Sequence, residues 1–398
     1  MNLMKLINNR QSTDGVQIVL IPWWEEETGQ YFLWTLCIHA YRIKVLKCLV
    51  TSVCMLLVNM YLMCCVQVVD TDSTSSCPIS TAEAKPIHAD ISVQTETCRH
   101  LLSLEKISSD ARSLQYYTGL ENADAFYYVL GSLGVAAHHL NYSWGTPRDI
   151  SVENQFLLTL IKLCLHSPNH ELSILFCIAE TVVSNIFVTW INFMYVTWSK
   201  LNIWPCKELV QFYMPHGFRR LYPTTRLIVD GVEISIKKPV KPSAQQATFS
   251  SYKNRNTLKA VVGISPGGLV SHIPDAFEGA ANDKMLIERS SLTAKLDPGD
   301  SLMTDKGFQA QDIFAPVDVT VNTPTFLKKR NQFTAKSLKR DRRIASKRVH
   351  VERLIGLAKT YKILSTPLNN IETALGSCIL FCCFMLCNFR RCIVPATA

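Results

Sequence analysis

Three carboxylates in this sequence have the type and placement expected of ligands in a hard-metal site. Asp230 ends the apolar run 227–229 and precedes a glycine, and Asp305 ends a second apolar run with Gly307 two residues later. Acids that emerge from a rigid sheet into a polar opening are typical of Mg²⁺ sites, because Mg²⁺ prefers oxygen ligands and keeps several waters. Two such ions about 3.5–4 Å apart activate a water and stabilise the leaving oxygen when a phosphodiester is cut. The pattern indicates metal-assisted phosphoryl chemistry, whereas one isolated Asp near a Gly predicts only a turn.

The third carboxylate, Glu352, falls in a basic segment that predicts a long helix over residues 335–360. Arg348 lies four residues before it and Gly356 four residues after it, so all three share one face of that helix. Gly356 weakens the helix and leaves room at that face for a metal ion or DNA; a glycine required for packing is the alternative.

The elements that must position these acids begin near residue 226, where the hydrophobic period changes from helical to extended. The turn sequence Ser-Pro-Gly-Gly at 265–268 separates two of the extended runs. The predicted strands are 227–229, 234–236, 258–264, 269–273, 301–304 and 317–321, and the predicted helices are 282–290 and 335–360. Strands mixed with helices in this order indicate an α/β or α+β domain with a central sheet.

Residues 152–198 form a helical block, with apolar residues at three- and four-residue steps. A short helix over 171–178, a tight turn and a longer helix from residue 180 have the shape of a helix-turn-helix, which is also the shape of ordinary three-helix packing units. The exposed start of the third helix offers Thr181, Ser184 and Asn185 to bases. It lacks Arg and Lys, so phosphate contacts must come from elsewhere.

The net charge of +9 is concentrated in one segment of the 398-residue chain. Residues 328–353 hold 11 Lys and Arg against two acids, and the remainder of the chain is neutral. This density predicts a polyanionic partner, with nucleic acid favoured over an anionic membrane surface; a solvated helix face or a nuclear localisation signal is the alternative. At 48% apolar and 18% charged, the chain is too hydrophobic to be disordered, and its length suggests about two to three domains.

The first hundred residues do not share these patterns. Residues 48–66 are an uncharged stretch just long enough to span a bilayer, and a linker rich in Asp, Thr and Ser follows at 70–98. A membrane anchor is one interpretation; a buried helix, or translated sequence outside the working protein, is favoured over it. The 15 Cys include no pair with Cys-x-x-Cys spacing, so we expect no structural zinc and a reducing compartment.

Five strings in order resemble the DDE superfamily of Harbinger-like transposases, whose members often carry an N-terminal THAP zinc finger. The strings are VDGVEISIKKP (229–239), SSYKNRNTLK (250–259), VGISPGG (262–268), MTDKGF (303–308) and RRIASKRVHVERLIG (342–356). The resemblance extends back through YYTGL (116–120) and covers about residues 110–395. No THAP-type cysteine and histidine pattern precedes residue 110, so the sequence departs from the family pattern there.

The resemblance implies an α/β protein in which an RNase H-like catalytic domain follows an all-α helix-turn-helix domain. That catalytic domain is a mixed central sheet flanked by helices. We expect a poorly defined N-terminal segment over 1–109, the helical domain over 110–222, and the nuclease domain over 223–398.

The resemblance further implies that Asp230, Asp305 and Glu352 form a catalytic DDE triad that holds two Mg²⁺ or Mn²⁺ ions. The substrate is then double-stranded DNA, and the protein is a nuclear, homo-oligomeric endonuclease of transposase type. The alternative is a non-catalytic DNA-binding protein descended from a transposase. A protein anchored in a membrane through residues 48–66 is the remaining rival.

Further residues receive expected roles around this triad. Asp283 is a candidate supporting acid, because it falls where the family has Gly-Ser-x-Ser-Asp; both serines are replaced here, and an acid at a helix start is an equal alternative. Glu233 is left out, because strand alternation places it opposite Asp230. The residues expected to contact DNA are Lys253, Arg255, Lys259, Lys306, Arg342, Arg343, Lys347, Arg348, Arg353, Thr181, Ser184 and Asn185.

Overall fold

A computed structural model shows a mixed α/β architecture in which a helical segment precedes a curled sheet. The described residues are 20–25, 30–35, 100–308, 310–325, 332 and 334–395. The first two ranges are the strands β1 (Leu20–Glu25) and β2 (Gln30–Thr35), which pair antiparallel. The apolar stretch 48–66 and the linker 70–98 lie outside the described residues, so their interpretations stay predictions.

Side-chain caps define where three helices of the helical segment begin. Asp110, Asn122 and Ser151 each accept backbone N–H bonds at a helix start, which satisfies donors that have no partner within the helix. The helices are α1 (Leu104–Ile107), α2 (Ala111–Thr118), α3 (Ala123–Gly131), α4 (Val152–Leu165), α5 (Asn169–Phe176), α6 (Glu180–Ser199), α7 (Lys207–Phe212) and α8 (His216–Leu221).

Helices α5 and α6 meet at an angle of 103°, which is the geometry of a helix-turn-helix. α5 starts and ends two residues earlier than the predicted 171–178. Cys177 adopts a left-handed backbone (φ 50°) that stops the helix, and residue 179 provides the extended entry to α6. Among the described residues, no single helix is long and apolar enough to cross a bilayer; α5 and α6 meet that test only as this bent pair.

The sheet mixes antiparallel and parallel strands. Its strands are β3 (Thr225–Ser235), β4 (Phe249–Ser250), β5 (Arg255–Ile264), β6 (Val270–His272), β7 (Phe277–Glu278), β8 (Ser301–Met303) and β9 (Thr320–Asn322). Their order is β4-β5-β3-β8-β9, with β6 and β7 paired to β5, and only the β3–β8 and β8–β9 pairs are parallel within this described sheet. Short helices α9 (Pro242–Thr248), α10 (Asp283–Arg289) and α11 (Gln311–Phe314) connect them.

The two faces of β3 pack against different hydrophobic clusters. Leu227 and Val229 join a small cluster with α10, whereas Ile228 and Val232 join a larger one. This larger cluster continues without a break into the helical segment, so the helices and one face of the sheet share a single core. The expected domain boundary between residues 222 and 223 stays a prediction.

Three α-helices complete the described part of the chain: α12 (Ala335–Ala358), α13 (Asn370–Ala374) and α14 (Gly376–Cys387). The Thr334 hydroxyl caps α12, and its buried residues Ile344, Val351 and Leu354 face the larger cluster. α14 is buried on almost every side and packs against α6. Burial of one face of α12 leaves the other face for its charged side chains.

Candidate active site

β3 positions Asp230 at the margin of the core. Its side chain shares a face with the fully buried Ile228 and Val232, because side chains alternate along a strand. The carboxylate is 19% exposed and accepts a hydrogen bond of 2.9 Å from the Gly231 amide. Glu233 lies on the opposite face, as expected, where it accepts a hydrogen bond from the Thr257 hydroxyl.

The parallel strand β8 places Asp305 beside Asp230. Ile228 pairs with Met303, and each acid follows its strand's paired residue by two positions. A turn closed by the Phe308 amide on the Asp305 carbonyl (3.1 Å) then leads the chain away, and Phe308 is buried in the smaller cluster. The register of two neighbouring strands therefore sets the two carboxylates side by side. Asp230 was expected to end a strand, but it lies inside β3, which continues to Ser235 because its backbone stays paired with β5.

α12 provides the third acid from outside the sheet. Val351, Leu354 and Ile355 bury one side of this helix in the larger cluster, and Glu352 lies beside that buried side with its side chain 52% exposed. A side chain added at Gly356 would meet nothing within 4 Å, so this glycine does not serve close packing against the described residues. The open space beside it agrees with the interpretation that it leaves room at the site.

Arg348 lies between the three acids and contacts each of them. Its Nη1 donates to Asp305 Oδ1 at 2.9 Å, and its Nη2 is 3.2 Å from Glu352 Oε1 and 3.7 Å from Asp230 Oδ2. The Arg348 side chain is 11% exposed. It was predicted to contact DNA; instead its guanidinium binds the acids, because the i,i+4 spacing to Glu352 and the packing of α12 on β3 direct it inward.

The electrostatics of Asp230 reflect this crowding. Burial raises the pKa of Asp230 to about 6, and the neighbouring carboxylates Asp305 and Glu352 raise it as well. Arg348 and the Gly231 amide act in the opposite direction but do not overcome these effects. Arg348 thus does not offset the desolvation of the Asp230 carboxylate, and a further cation beside it would stabilise its charged form.

The donor chemistry of the triad fits a divalent cation. Carboxylate oxygens are the ligands that Mg²⁺ and Mn²⁺ prefer, and three of them converge here from separate elements. In the part of the chain that the structure describes, no group of three or more His, Cys, Asp or Glu side chains is arranged as a metal site. The three acids are arranged around Arg348 instead.

Asp283 begins α10 on the other face of the sheet from Asp230. It pairs with Lys259, whose Nζ is 2.6 Å from Asp283 Oδ1, and Lys259 lies opposite Glu233 in the strand register. Asp283 Oδ2 would lie 3.7 Å from a Cβ at Gly307, next to the turn that follows Asp305. Asp283 therefore neighbours the Asp305 turn, and its supporting role stays a prediction. The Lys259 charge, expected on DNA phosphates, is engaged by Asp283.

The other predicted basic residues occupy two surfaces. Arg342, Arg343 and Arg353 are exposed on α12, and Lys306 and Arg255 are exposed near the sheet. Lys347 is less available, because its ammonium lies over the Phe218 ring (5.5 Å from the centroid) and burial lowers its pKa. Lys253 lies over the ring of Tyr252, which is 80% exposed. Most of the cations that were predicted to contact DNA are thus exposed to solvent, on α12 or near the sheet.

Lys359 is a cation that the sequence reasoning missed. It caps the end of α12 and is half-buried; burial lowers its pKa, Lys253 lowers it further, and Asp230 and Glu233 act in the opposite direction. Its charge therefore acts on the same region as Asp230. The available signal was its spacing, since seven residues after Glu352 is two helical turns along the same face.

Three polar residues of α6 were predicted to contact DNA bases, and they differ in how far they are exposed to solvent. Thr181 is exposed and Ser184 is partly exposed. Asn185 is 3% exposed and donates to the Gly145 carbonyl at 3.2 Å, so the prediction that it is exposed was wrong. Its position, one residue before the buried Ile186, puts it on the side of α6 that packs against the preceding loop.

Comparison with known families agrees with both parts of this architecture. Residues 229–388 match the model of the DDE superfamily endonuclease, and this segment contains all three acids of the triad. Residues 148–200 match the helix-turn-helix of DDE superfamily endonuclease. The two matches support a DDE transposase family for this chain. No curated protein and no solved structure matches it.

Proposed function

We propose that this protein is a metal-dependent DNA endonuclease of the Harbinger-like transposase type, with an RNase H-like catalytic domain. The observation that carries the proposal is the convergence of Asp230, Asp305 and Glu352 from two parallel strands and a helix. The match to a DDE superfamily endonuclease over the same residues supports it.

In this proposal Asp230, Asp305 and Glu352 hold two Mg²⁺ or Mn²⁺ ions. When bound, such ions activate a water and stabilise the leaving oxygen of the phosphodiester. The protein itself fixes the three carboxylates on rigid elements. It also keeps Asp230 partly desolvated, so that few water molecules compete for its carboxylate oxygens.

The surfaces around the triad would engage the DNA backbone. Exposed Arg342, Arg343 and Arg353 lie on the helix that carries Glu352, so the cations that bind phosphates also bring them towards the acids. The helix-turn-helix over α5 and α6 would make a second contact. We further propose a nuclear location and a homo-oligomeric state, since cutting two ends of one DNA element requires two sites.

The test is a plasmid-nicking assay with the full chain and Mg²⁺ or Mn²⁺. Asp230→Asn, Asp305→Asn and Glu352→Gln should each lower nicking on the order of 10³-fold, because several kcal/mol of charge stabilisation are lost. Each variant should still bind DNA in a gel-shift assay without metal. Glu233→Gln is the matched control, since it removes an acid from the opposite face of the same strand and should nick at the parent rate.

A triple variant that nicks as well as the parent would show the mechanism to be wrong. A parent chain that binds DNA but nicks with neither metal would instead support the non-catalytic descendant of a transposase.

A further inference from the structure

Arg348 contacts all three acids, yet it forms a two-bond pair with none of them. A guanidinium binds a carboxylate best through two parallel N–H bonds, and here each acid receives one nitrogen only. The contact to Asp230 is 3.7 Å, beyond hydrogen-bond length, and the buried Nε has no acceptor among the described residues. Arg348 is therefore held by one directed hydrogen bond, to Asp305, and by the summed charge of the three acids.

The charges around Arg348 are also unbalanced. Three carboxylates surround one guanidinium, so the site keeps an excess of negative charge that a divalent ion would complement. Asp305 and Glu352 are about half-exposed, which means that a cation from solvent can reach them without unfolding the helix. Arg348 has a long side chain, so it can leave the acids while α12 stays in place.

We infer that Arg348 is a built-in competitor of the divalent cation: it holds the three acids together in the metal-free protein and leaves them when the metal binds. This inference deepens the proposed function and rests on its assignment of the triad. Displacement would release a planar guanidinium beside the reacting phosphate, where its fork suits phosphate oxygens. The DNA contact that the sequence predicted for Arg348 would then form only in the metal-loaded protein.

The experiment titrates Mn²⁺ alone into the full chain by calorimetry, without DNA. Arg348→Gln and the more apolar Arg348→Met should each bind Mn²⁺ about tenfold more tightly than the parent. A neighbouring Arg lowers the proton affinity of a carboxylate by about one to three powers of ten, and the same charge opposes the binding of a metal cation. Arg342→Gln removes the same charge from an exposed position on the same helix and should leave Mn²⁺ affinity near the parent value. Adding Glu352→Gln to Arg348→Gln should cancel the gain.

A tighter Mn²⁺ affinity in the Arg348 variants that Glu352→Gln cancels would support the inference. Unchanged or weaker Mn²⁺ binding in variants with parent-like circular dichroism would overturn it, since Arg348 would then only pin α12 to the sheet. If both neutral variants fail to fold, Arg348→Lys decides: one ammonium contacts fewer acids, so Mn²⁺ affinity should still exceed the parent's.

Nicking is scored separately on the same proteins. A parent that nicks while the Arg348 variants show no gain in Mn²⁺ affinity would leave the proposed function standing and overturn the inference. A gain in Mn²⁺ affinity in the Arg348 variants, with no nicking by the parent, would support the inference and contradict the proposed function.

Discussion

Among the acid and cation clusters of the described residues, a pair built from similar groups behaves in opposite ways. In the triad site, Asp230, Asp305 and Glu352 share the single guanidinium of Arg348. In a second cluster, which we call the helical cluster (Lys162, His166 and Glu372), one buried acid is surrounded by donors. Lys162 Nζ lies 3.3 Å and His166 Nε2 3.1 Å from the carboxylate of Glu372, and the Asn369 amide donates to it at 3.0 Å.

The pKa values of the two buried acids show the consequence. Burial raises the pKa of Glu372, but the hydrogen bonds from His166 and the Asn369 amide and the charge of Lys162 outweigh it and bring the pKa down to about 2. Burial raises the pKa of Asp230 to about 6, and its surroundings do not reverse this. Glu372 has several donors around one carboxylate, so it stabilises the fold. The triad site has three acids and one guanidinium, so it is suited to bind another cation.

The largest effect on folding should come from the helical cluster. Glu372→Gln leaves Lys162 buried without its counterion, so we expect a loss of about 3 kcal/mol or more in the free energy of unfolding, measured by urea denaturation. Glu352→Gln removes a half-exposed acid and should change stability by less than about 1 kcal/mol, while it abolishes nicking. Equal losses of stability in the two variants would remove the distinction between the clusters.

The pH dependence of stability should show that the ionised Glu372 of the helical cluster causes the stability difference between the parent and Glu372→Gln. Because the pKa of Glu372 lies below its ordinary value of 4.5, its contribution is present above that pH and is lost as the pH falls towards about 2. The difference in unfolding free energy between the parent and Glu372→Gln should be largest at neutral pH and should shrink steadily below about pH 5. Urea denaturation across this range measures it, and a constant difference would contradict the assignment.

Helix α6 also carries one polar side chain that supports the fold and one that is open to solvent. The expected changes in stability there are smaller. Asn185→Ala removes a buried donor to the Gly145 carbonyl and should lower stability by about 1 kcal/mol. Thr181→Ala, at an exposed position on the same helix, should leave the urea midpoint unchanged and weaken DNA binding in a gel-shift titration. A loss of DNA binding from Asn185→Ala without a loss of stability would show that Asn185 reads bases after all.

Local patterns predicted much of this architecture. The long helix was expected over 335–360 and runs over Ala335–Ala358, because its caps and apolar spacing are encoded within the helix itself. The runs 227–229 and 234–236 were expected as separate strands but form one strand, β3. Gly231 breaks the apolar pattern without breaking the strand, since its backbone stays paired with Val261 of β5.

Predictions about individual polar side chains were less successful. Arg348 and Asn185 were both expected to face DNA, and both are turned towards other parts of the protein. Helical spacing shows that two residues share a face, but what that face meets depends on segments far away in the chain. Asp305 is 43 residues from Arg348, and Gly145 is 40 residues from Asn185.

The sequence by itself singled out Asp230, Asp305 and Glu352 as candidates, because residue type and the order of the surrounding strings are local properties. It also determined that the positive charge is concentrated on the helix that carries Glu352. Only the tertiary structure decided that Arg348 lies among the acids and that the helices and sheet share one core. The physical reason is that strand register and helix packing join residues distant in sequence, and these contacts decide which charges face solvent and which face one another.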